Sequence, residues 1–140
     1  MKPYTYIYIV LLFCFAIPSK SKAQVEITVG DSLTLGHCSH TEFGFLHIDL
    51  IVKTRWVDRG LVYDTATGDG FYPYFFNEGD VDSRRLPCEY AGRKFRVASL
   101  DWHKNDDGSK RLVILGQIDN QNTVLWIEAD EAVAAKELTL

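Results

Sequence analysis

The densest group of side chains that could do chemistry is a run of four residues, His37-Cys38-Ser39-His40. Thiolate and imidazole ligands together suit zinc and copper. In an extended strand successive side chains point to opposite faces, so Cys38 and His40 would share a face and His37 would not. Two ligands on one face need at least one more from elsewhere, and the spacing matches no standard zinc pattern. We therefore predict no metal site and no cofactor, and keep His37, Cys38 and His40 only as minor candidates for metal ligands.

Cys38 could also act as a nucleophile, with the downstream His103 as its base. In small cysteine peptidases that act on cell walls, the cysteine opens a helix, whose N-terminus lowers the pKa of the thiol. Here Cys38 is followed by the strand pattern Phe43–Val52, and no residue suited to orient a histidine follows His103. We therefore predict that the protein is not an enzyme and has no catalytic residue. A small cysteine- or metal-dependent hydrolase is the least favoured alternative.

The middle of the chain is unusually aromatic, since five of the six residues in Phe71–Phe76 are aromatic. In an extended segment, alternation lets only about half of the side chains face one core. The other rings must pack beneath another loop or meet a partner, and aromatic side chains are enriched where proteins recognise partners. Both interpretations stay open here: a second small core, or a binding surface. The candidate binding residues are Trp56, Phe71, Tyr72, Tyr74, Phe75 and Phe76.

The first 23 residues have the three-part layout of a secretory signal peptide. Lys2 supplies the positive charge, Tyr4–Ile17 is an uncharged run, and Ser21-Lys22-Ala23 fits a small-residue cleavage site. The run of about 14 residues is shorter than the roughly 20 that a spanning helix needs. A lipid on Cys14 is disfavoured, because a bulky phenylalanine precedes it. We therefore expect an exported protein, periplasmic or secreted, with no transmembrane segment after cleavage of the leader.

Cleavage of residues 1–23 leaves residues 24–140, a length that suits a single domain with one core. Two cysteines remain, Cys38 and Cys88. In an exported protein such a pair is first interpreted as a disulfide. The bridge would close a loop of about 51 residues, for which chain entropy gives a stabilisation of about 4 kcal/mol.

The domain after the leader is predicted to be acidic. The whole chain has 15 basic and 19 acidic residues, and three of the lysines but no acid lie in the leader. The domain therefore keeps 12 basic residues and a net charge near −7 with histidine neutral. Such a surface repels nucleic acid and anionic lipid at long range. We expect neither as a partner.

Periodicity and turn signals predict a mainly β domain. Two short turns, Asn105–Gly108 and Asp119–Asn122, separate three strands and so indicate a meander. The period then changes to 3.6 over Ala129–Leu138, which predicts a short closing helix. We expect a small antiparallel barrel, SH3-like or OB-like, with this C-terminal helix, and keep a β-sandwich as the alternative. The predicted strands are Val25–Val29, Leu33–Leu35, Phe43–Val52, Leu61–Tyr63, Lys94–His103, Arg111–Ile118 and Thr123–Glu128.

Two segments resemble small exported bacterial β-rich domains of unknown function. Near the start, Val29-Gly30-Asp31-Ser32-Leu33-Thr34-Leu35-Gly36 is similar to the V-G-D-x-L-x-L-G strand pair that opens those domains. Near the end, Leu125-Trp126-Ile127-Glu128 is followed by Asp130-Glu131-Ala132-Val133 and by a helix ending near Glu137-Leu138, as in their closing segment. The resemblance implies an exported β-rich domain. It implies no activity and no site residue.

Together these features predict a non-catalytic exported or periplasmic domain that binds a protein or an envelope ligand. The aromatic segment is the expected contact surface, because binding groups tend to lie on loops that a scaffold holds in place. An alternative is an inhibitor or immunity protein that neutralises a toxin in the same compartment. Acidic inhibitors gain association rate toward basic targets through electrostatic steering.

Overall fold

The computed structural model describes residues 26–77 and 79–140, so the predicted leader lies outside the described residues. Seven antiparallel strands form one curled half-barrel sheet with two short helices, which confirms the predicted mainly β class. The architecture is consistent with a small barrel or sandwich-like fold. The elements are β1 (Ser32–Leu35), β2 (Ile48–Lys53), α1 (Phe71–Phe76), β3 (Val81–Arg85), a 3₁₀ turn (Cys88–Tyr90), β4 (Lys94–Lys104), β5 (Lys110–Gln117), β6 (Thr123–Glu128), α2 (Ala129–Ala134) and β7 (Leu138–Thr139).

The strands lie side by side in the order β3-β2-β6-β5-β4-β1-β7, and the predicted meander of β4, β5 and β6 is confirmed at the centre. Positive φ angles of 87° at Gly108 and 63° at Asp119 form the two turns that join these strands. A bulge between Val97 and Ser99 shifts the register of β4 against β5. The simple alternation that the sequence predicts along β4 therefore changes face at this point.

The sheet buries apolar side chains on both of its faces, and we name the larger set the first core and the smaller set the second core. Alternation along each strand explains the division: in β6, Leu125 and Ile127 face the first core, whereas Val124 faces the second. The first core consists of Leu35, Phe45, Ile48, Leu50, Leu86, Phe95, Val97, Ile114, Ile118, Leu125, Ile127, Ala129, Ala132 and Leu138. The second core consists of Ile51, Phe71, Phe75, Ala98, Val113, Leu115 and Val124.

Two long-range links close the first core. The predicted disulfide between Cys38 and Cys88 is confirmed, with the two Cα atoms 5.3 Å apart. The fully buried carboxylate of Glu137 accepts the backbone N–H groups of Leu46 and His47 at 2.6 and 2.9 Å. Both links tie the loop before β2 to a segment distant in sequence, so they hold that loop over the core.

The predicted strand Phe43–Val52 is wrong over its first half, because β2 begins only at Ile48. Gly44 has a φ of 87°, and its N–H donates to the carbonyl of His40 at 2.7 Å, which closes the turn over residues 41–43. A Cβ atom at Gly44 would collide with the carbonyl oxygen of Leu86, so this close approach of two backbones needs glycine. Beyond it the chain enters the sheet and pairs with β3, a strand that the sequence did not reveal.

Two other predicted strands are also wrong. The described part of Val25–Val29 contains no strand, because the side chain of Asp31 accepts the backbone N–H of Thr28 at 2.8 Å and fixes a turn. Leu61–Tyr63 lies in a connection without strand structure. Its apolar residues belong to a loop on the surface, and Val62 is the most exposed large apolar side chain of the described residues.

The C-terminal helix is confirmed in place but is shorter than the predicted Ala129–Leu138, since α2 ends at Ala134. Lys136 has a positive φ of 59°, which reverses the chain. Leu138 then pairs with Leu35 of β1 and is buried in the first core. In residues 26–77 and 79–140, no helix is long and apolar enough to cross a bilayer.

Candidate functional site

The aromatic segment forms the helix α1 and is not extended. Phe71 and Phe75 are four residues apart, so both point to the same side of the helix, and both are fully buried in the second core. Pro73 is tolerated because it lies in the first turn, where its missing N–H breaks no helical hydrogen bond. Two of the candidate binding residues, Phe71 and Phe75, are therefore core residues, and the expectation based on strand alternation is corrected.

The remaining rings of α1 lie on the outer side of the helix. Tyr72 is 43% exposed, and Tyr74 and Phe76 are half-buried. The rings of Tyr72 and Phe76 lie 4.7 Å apart, and Phe76 lies 6.1 Å from the ring of Trp126 on β6. These contacts continue the second core outward into a partly exposed aromatic surface.

Trp56 is brought to this surface by the loop after β2 and is fixed there from several sides. It is 38% exposed, and its ring centroid lies 5.3 Å from that of Tyr74. Its Nε1 donates to Oδ1 of Asn122 at 2.6 Å, and the ammonium of Lys53 lies 4.7 Å from the ring centroid. Lys53 is buried, which lowers its pKa, and its Nζ donates to the carbonyl of Phe75.

A cavity of about 260 Å³ opens beside Trp56, and we name it the aromatic pocket. Leu61, which is 44% exposed, adds an apolar side chain to the lining of the pocket, and the adjacent Val62 is 84% exposed. The sequence pointed to the aromatic residues here but not to Leu61, whose apolar run was assigned to a strand. The pocket is lined by Trp56, Val57, Asp58, Arg59, Leu61, Tyr74 and Asn77.

A second cavity, which we name the charged trough, has a volume of about 370 Å³. Arg85 lies 3.3 Å from Asp49, and Arg111 lies 3.6 Å from Glu128. Each arginine of the trough is therefore already paired with a carboxylate, and such partly exposed pairs contribute little free energy. The two arginines therefore offer little unpaired positive charge to a ligand, although the trough is lined mainly by charged residues. Its lining residues are Leu46, His47, Asp49, Arg85, Arg111, Glu128 and Glu131.

The candidate metal ligands His37, Cys38 and His40 are not brought together as a site. The sulfur of Cys38 is bonded in the disulfide, and His37 is exposed. Nδ1 of His40 accepts the backbone N–H groups of Glu42 and Phe43, each at 3.2 Å. Among the residues that the structure describes, no group of three or more His, Cys, Asp and Glu side chains could hold a metal ion. The nucleophile required by the hydrolase alternative is not free in this structure.

Comparison of the chain with protein-family models, with curated proteins and with solved structures finds no significant match. A small β-rich architecture hosts many unrelated functions. We therefore infer the function from the chemistry of the exposed surface, where the aromatic pocket and the charged trough are the two candidates.

Proposed function

We propose that the protein is an exported, non-catalytic binding domain that engages a protein partner through the aromatic pocket and the exposed rings beside it. The observation that carries this proposal is the position of Trp56, which is open to solvent on one side and fixed by a ring, a hydrogen bond and a cation on the others. Pre-ordered tryptophan and tyrosine side chains are enriched among the residues that dominate binding energy. The disulfide supports export, because such bonds persist in oxidising compartments.

The size of the aromatic pocket favours a protein side chain over a small molecule. Ligand pockets usually enclose about 300–1,000 Å³. At about 260 Å³ the aromatic pocket is smaller than that range, although it suits a single apolar side chain of a partner. The exposed Val62, which follows Leu61 of the pocket wall, extends the apolar contact beyond the pocket, as expected of a protein interface with an apolar centre.

The net charge adds a preference for the kind of partner. Without its predicted leader the chain carries 12 basic and 19 acidic residues, so long-range attraction favours a basic protein. A toxin with a basic surface is one such partner, and the inhibitor or immunity alternative is then a special case of the same binding proposal.

The proposal is tested by capture of partners from extracellular or envelope extract with the purified chain and two tryptophan variants. Trp56→Ala removes the central ring of the pocket. Trp102→Ala is the matched control, because Trp102 is 64% exposed but lies on the face of the first core, like its cross-strand partner Leu112. We expect Trp56→Ala to cost about 2 kcal/mol of binding free energy, which is about a 30-fold weaker affinity. Trp102→Ala should leave capture unchanged.

Thermal unfolding of both variants establishes first that they are folded. Equal capture by wild type and a folded Trp56→Ala variant would contradict the proposal. Loss of capture with Trp102→Ala alone would show that the partner binds the opposite face of the sheet. Titration of the captured protein against each variant then measures the affinities directly.

A further inference from the structure

The edge of the sheet at β3 is open. β3 is the outermost strand, beyond β2, and all five residues of Val81–Arg85 are exposed. In the part of the chain that the structure describes, no strand pairs with its outer side. Such an edge presents a row of backbone N–H and C=O groups that can pair with a strand of another chain.

The hydrogen bonds to β2 determine which backbone groups of β3 point outward. The N–H of Leu86 donates to the carbonyl of Ile48 at 3.0 Å, and the N–H of Thr54 donates to the carbonyl of Asp80 at 2.9 Å. Bonded pairs recur at every second residue of an antiparallel ladder, so the even-numbered residues from 80 to 86 face β2. The residues whose backbone groups face the open edge are Val81, Ser83 and Arg85.

We propose that two copies of this chain pair through β3 in an antiparallel, two-fold symmetric arrangement centred on Ser83. Ser83 then lies opposite the partner's Ser83, and Val81 lies opposite the partner's Arg85. Every outward-facing residue of one copy meets an outward-facing residue of the other, so all of them form backbone hydrogen bonds across the axis. The interface continues the sheet from one copy into the next and uses none of the residues that line the aromatic pocket.

The charged side chains of β3 complement one another in this register. Asp82 lies opposite the partner's Arg84, and symmetry repeats the contact on the other side of the axis. Both contacts fall at non-hydrogen-bonded positions, where Cα atoms are only about 4.5 Å apart and opposite charges stabilise the pairing. Two antiparallel copies of the strand Val-Asp-Ser-Arg-Arg therefore place opposite charges next to each other.

Neighbouring registers are disfavoured by the same residues. A two-residue slip in one direction places Asp82 opposite the partner's Asp82, and a slip in the other direction places Arg84 opposite the partner's Arg84. The first slip also brings Asp80 opposite the partner's Arg84, but Asp80 lies outside β3 and already pairs with Arg55 at 3.4 Å. Like charges directly opposite each other destabilise a strand pair. A one-residue slip sets outward-facing against inward-facing backbone groups and loses the hydrogen bonds. The open edge of β3 is therefore best matched by a second copy of the chain in the register centred on Ser83.

The experiment is sedimentation velocity of the purified chain over a concentration series, with four variants of β3 and with Trp56→Ala as the variant of the aromatic pocket. Asp82→Arg and Arg84→Asp each place like charges opposite one another, and each should weaken dimerisation by about tenfold or more. The double variant Asp82→Arg, Arg84→Asp exchanges the two charges and should restore the wild-type dissociation constant to within about threefold. Ser83→Pro removes an N–H that points away from β2 and should give a folded monomer.

A wild-type chain that stays monomeric up to about millimolar concentration would overturn the proposal. So would a dimer that persists in Ser83→Pro, or a double variant that is no better than the single variants. A dimer that is lost in a folded Trp56→Ala variant but kept in Asp82→Arg would assign self-association to the aromatic pocket and exclude β3. Pairing of β3 with a different protein would appear as a wild-type monomer that forms a charge-sensitive mixed complex.

Discussion

The two faces of the sheet are closed by different means. The first core is sealed by the disulfide Cys38–Cys88 and by the buried carboxylate of Glu137, which binds two backbone N–H groups. The second core is sealed by α1, whose inner rings Phe71 and Phe75 lie 6.0 Å apart. On the first face the closing groups are the half-buried disulfide and the fully buried Glu137, which themselves place no large apolar group at the surface. On the second face the helix that closes the core carries further rings on its outer side, and these stay partly exposed.

This difference explains why the candidate binding surface lies on the second face. A short helix with aromatic residues on every side must expose some of them once the inner ones are buried. The exposed ring of Tyr72 and the contribution of Tyr74 to the aromatic pocket are the result, and the loop after β2 supplies the rest of the pocket. The helix α1 thus contributes both to the closure of the second core and, through Tyr74, to the proposed binding surface, and substitutions can separate the two roles.

The largest expected effect lies on the first face. Replacing both Cys38 and Cys88 by alanine should lower the free energy of unfolding by about 4 kcal/mol, because the closed loop then gains conformational freedom in the unfolded chain. Urea denaturation of the oxidised wild type and of the double variant measures the difference. Addition of reductant to the double variant should change nothing. A loss below about 1 kcal/mol would show that the disulfide is not what seals this face.

The next effect lies on the second face. Phe75→Ala should destabilise the protein by about 3 kcal/mol, at the low end of the range for buried phenylalanine, because partly exposed neighbours can relax into the cavity. Tyr72→Ala is the matched control on the outer side of α1, and it should cost less than about 1 kcal/mol. Equal losses for the two variants, measured by chemical denaturation, would show that α1 has no distinct core side.

The smallest of the three effects tests the polar closure of the first core. Glu137→Gln keeps the shape of the side chain but replaces one accepting oxygen by an amide that cannot accept the N–H of Leu46 or His47. An unpaired buried donor should cost about 2 kcal/mol. Glu131→Gln, on the exposed side of α2, should change the free energy of unfolding by less than about 0.5 kcal/mol. Thermal unfolding of both variants would contradict this assignment if their midpoints coincided.

The central meander was predictable because its information is local. In the two turns Asn105–Gly108 and Asp119–Asn122, Gly108 and Asp119 take positive φ angles that their residue types allow. The strand between the turns, β5, is a continuous apolar run that is buried on both faces. The strand β3 was not predictable, since none of its residues is buried and the alternation of a half-buried strand is therefore missing. Val81–Arg85 becomes a strand only because its backbone pairs with β2.

The disulfide was predictable from counting, because only Cys38 and Cys88 follow the predicted leader. The candidate site was predictable in part: Trp56 and Tyr74 line the aromatic pocket, whereas Phe71 and Phe75 are core. Phenylalanine and tyrosine have low intrinsic helix propensity, so their run carried no local signal for α1.

The sequence by itself determined the β-rich class and the central meander, because turn residues and apolar patterns along a strand are local signals. It also determined the pairing of the cysteines, because only two cysteines follow the predicted leader. The tertiary structure alone decided that the aromatic segment is a helix, which of its rings are buried, and that Leu61 joins Trp56 in a pocket. These outcomes depend on burial against the second face of the sheet, and that free energy exists only once distant strands have assembled.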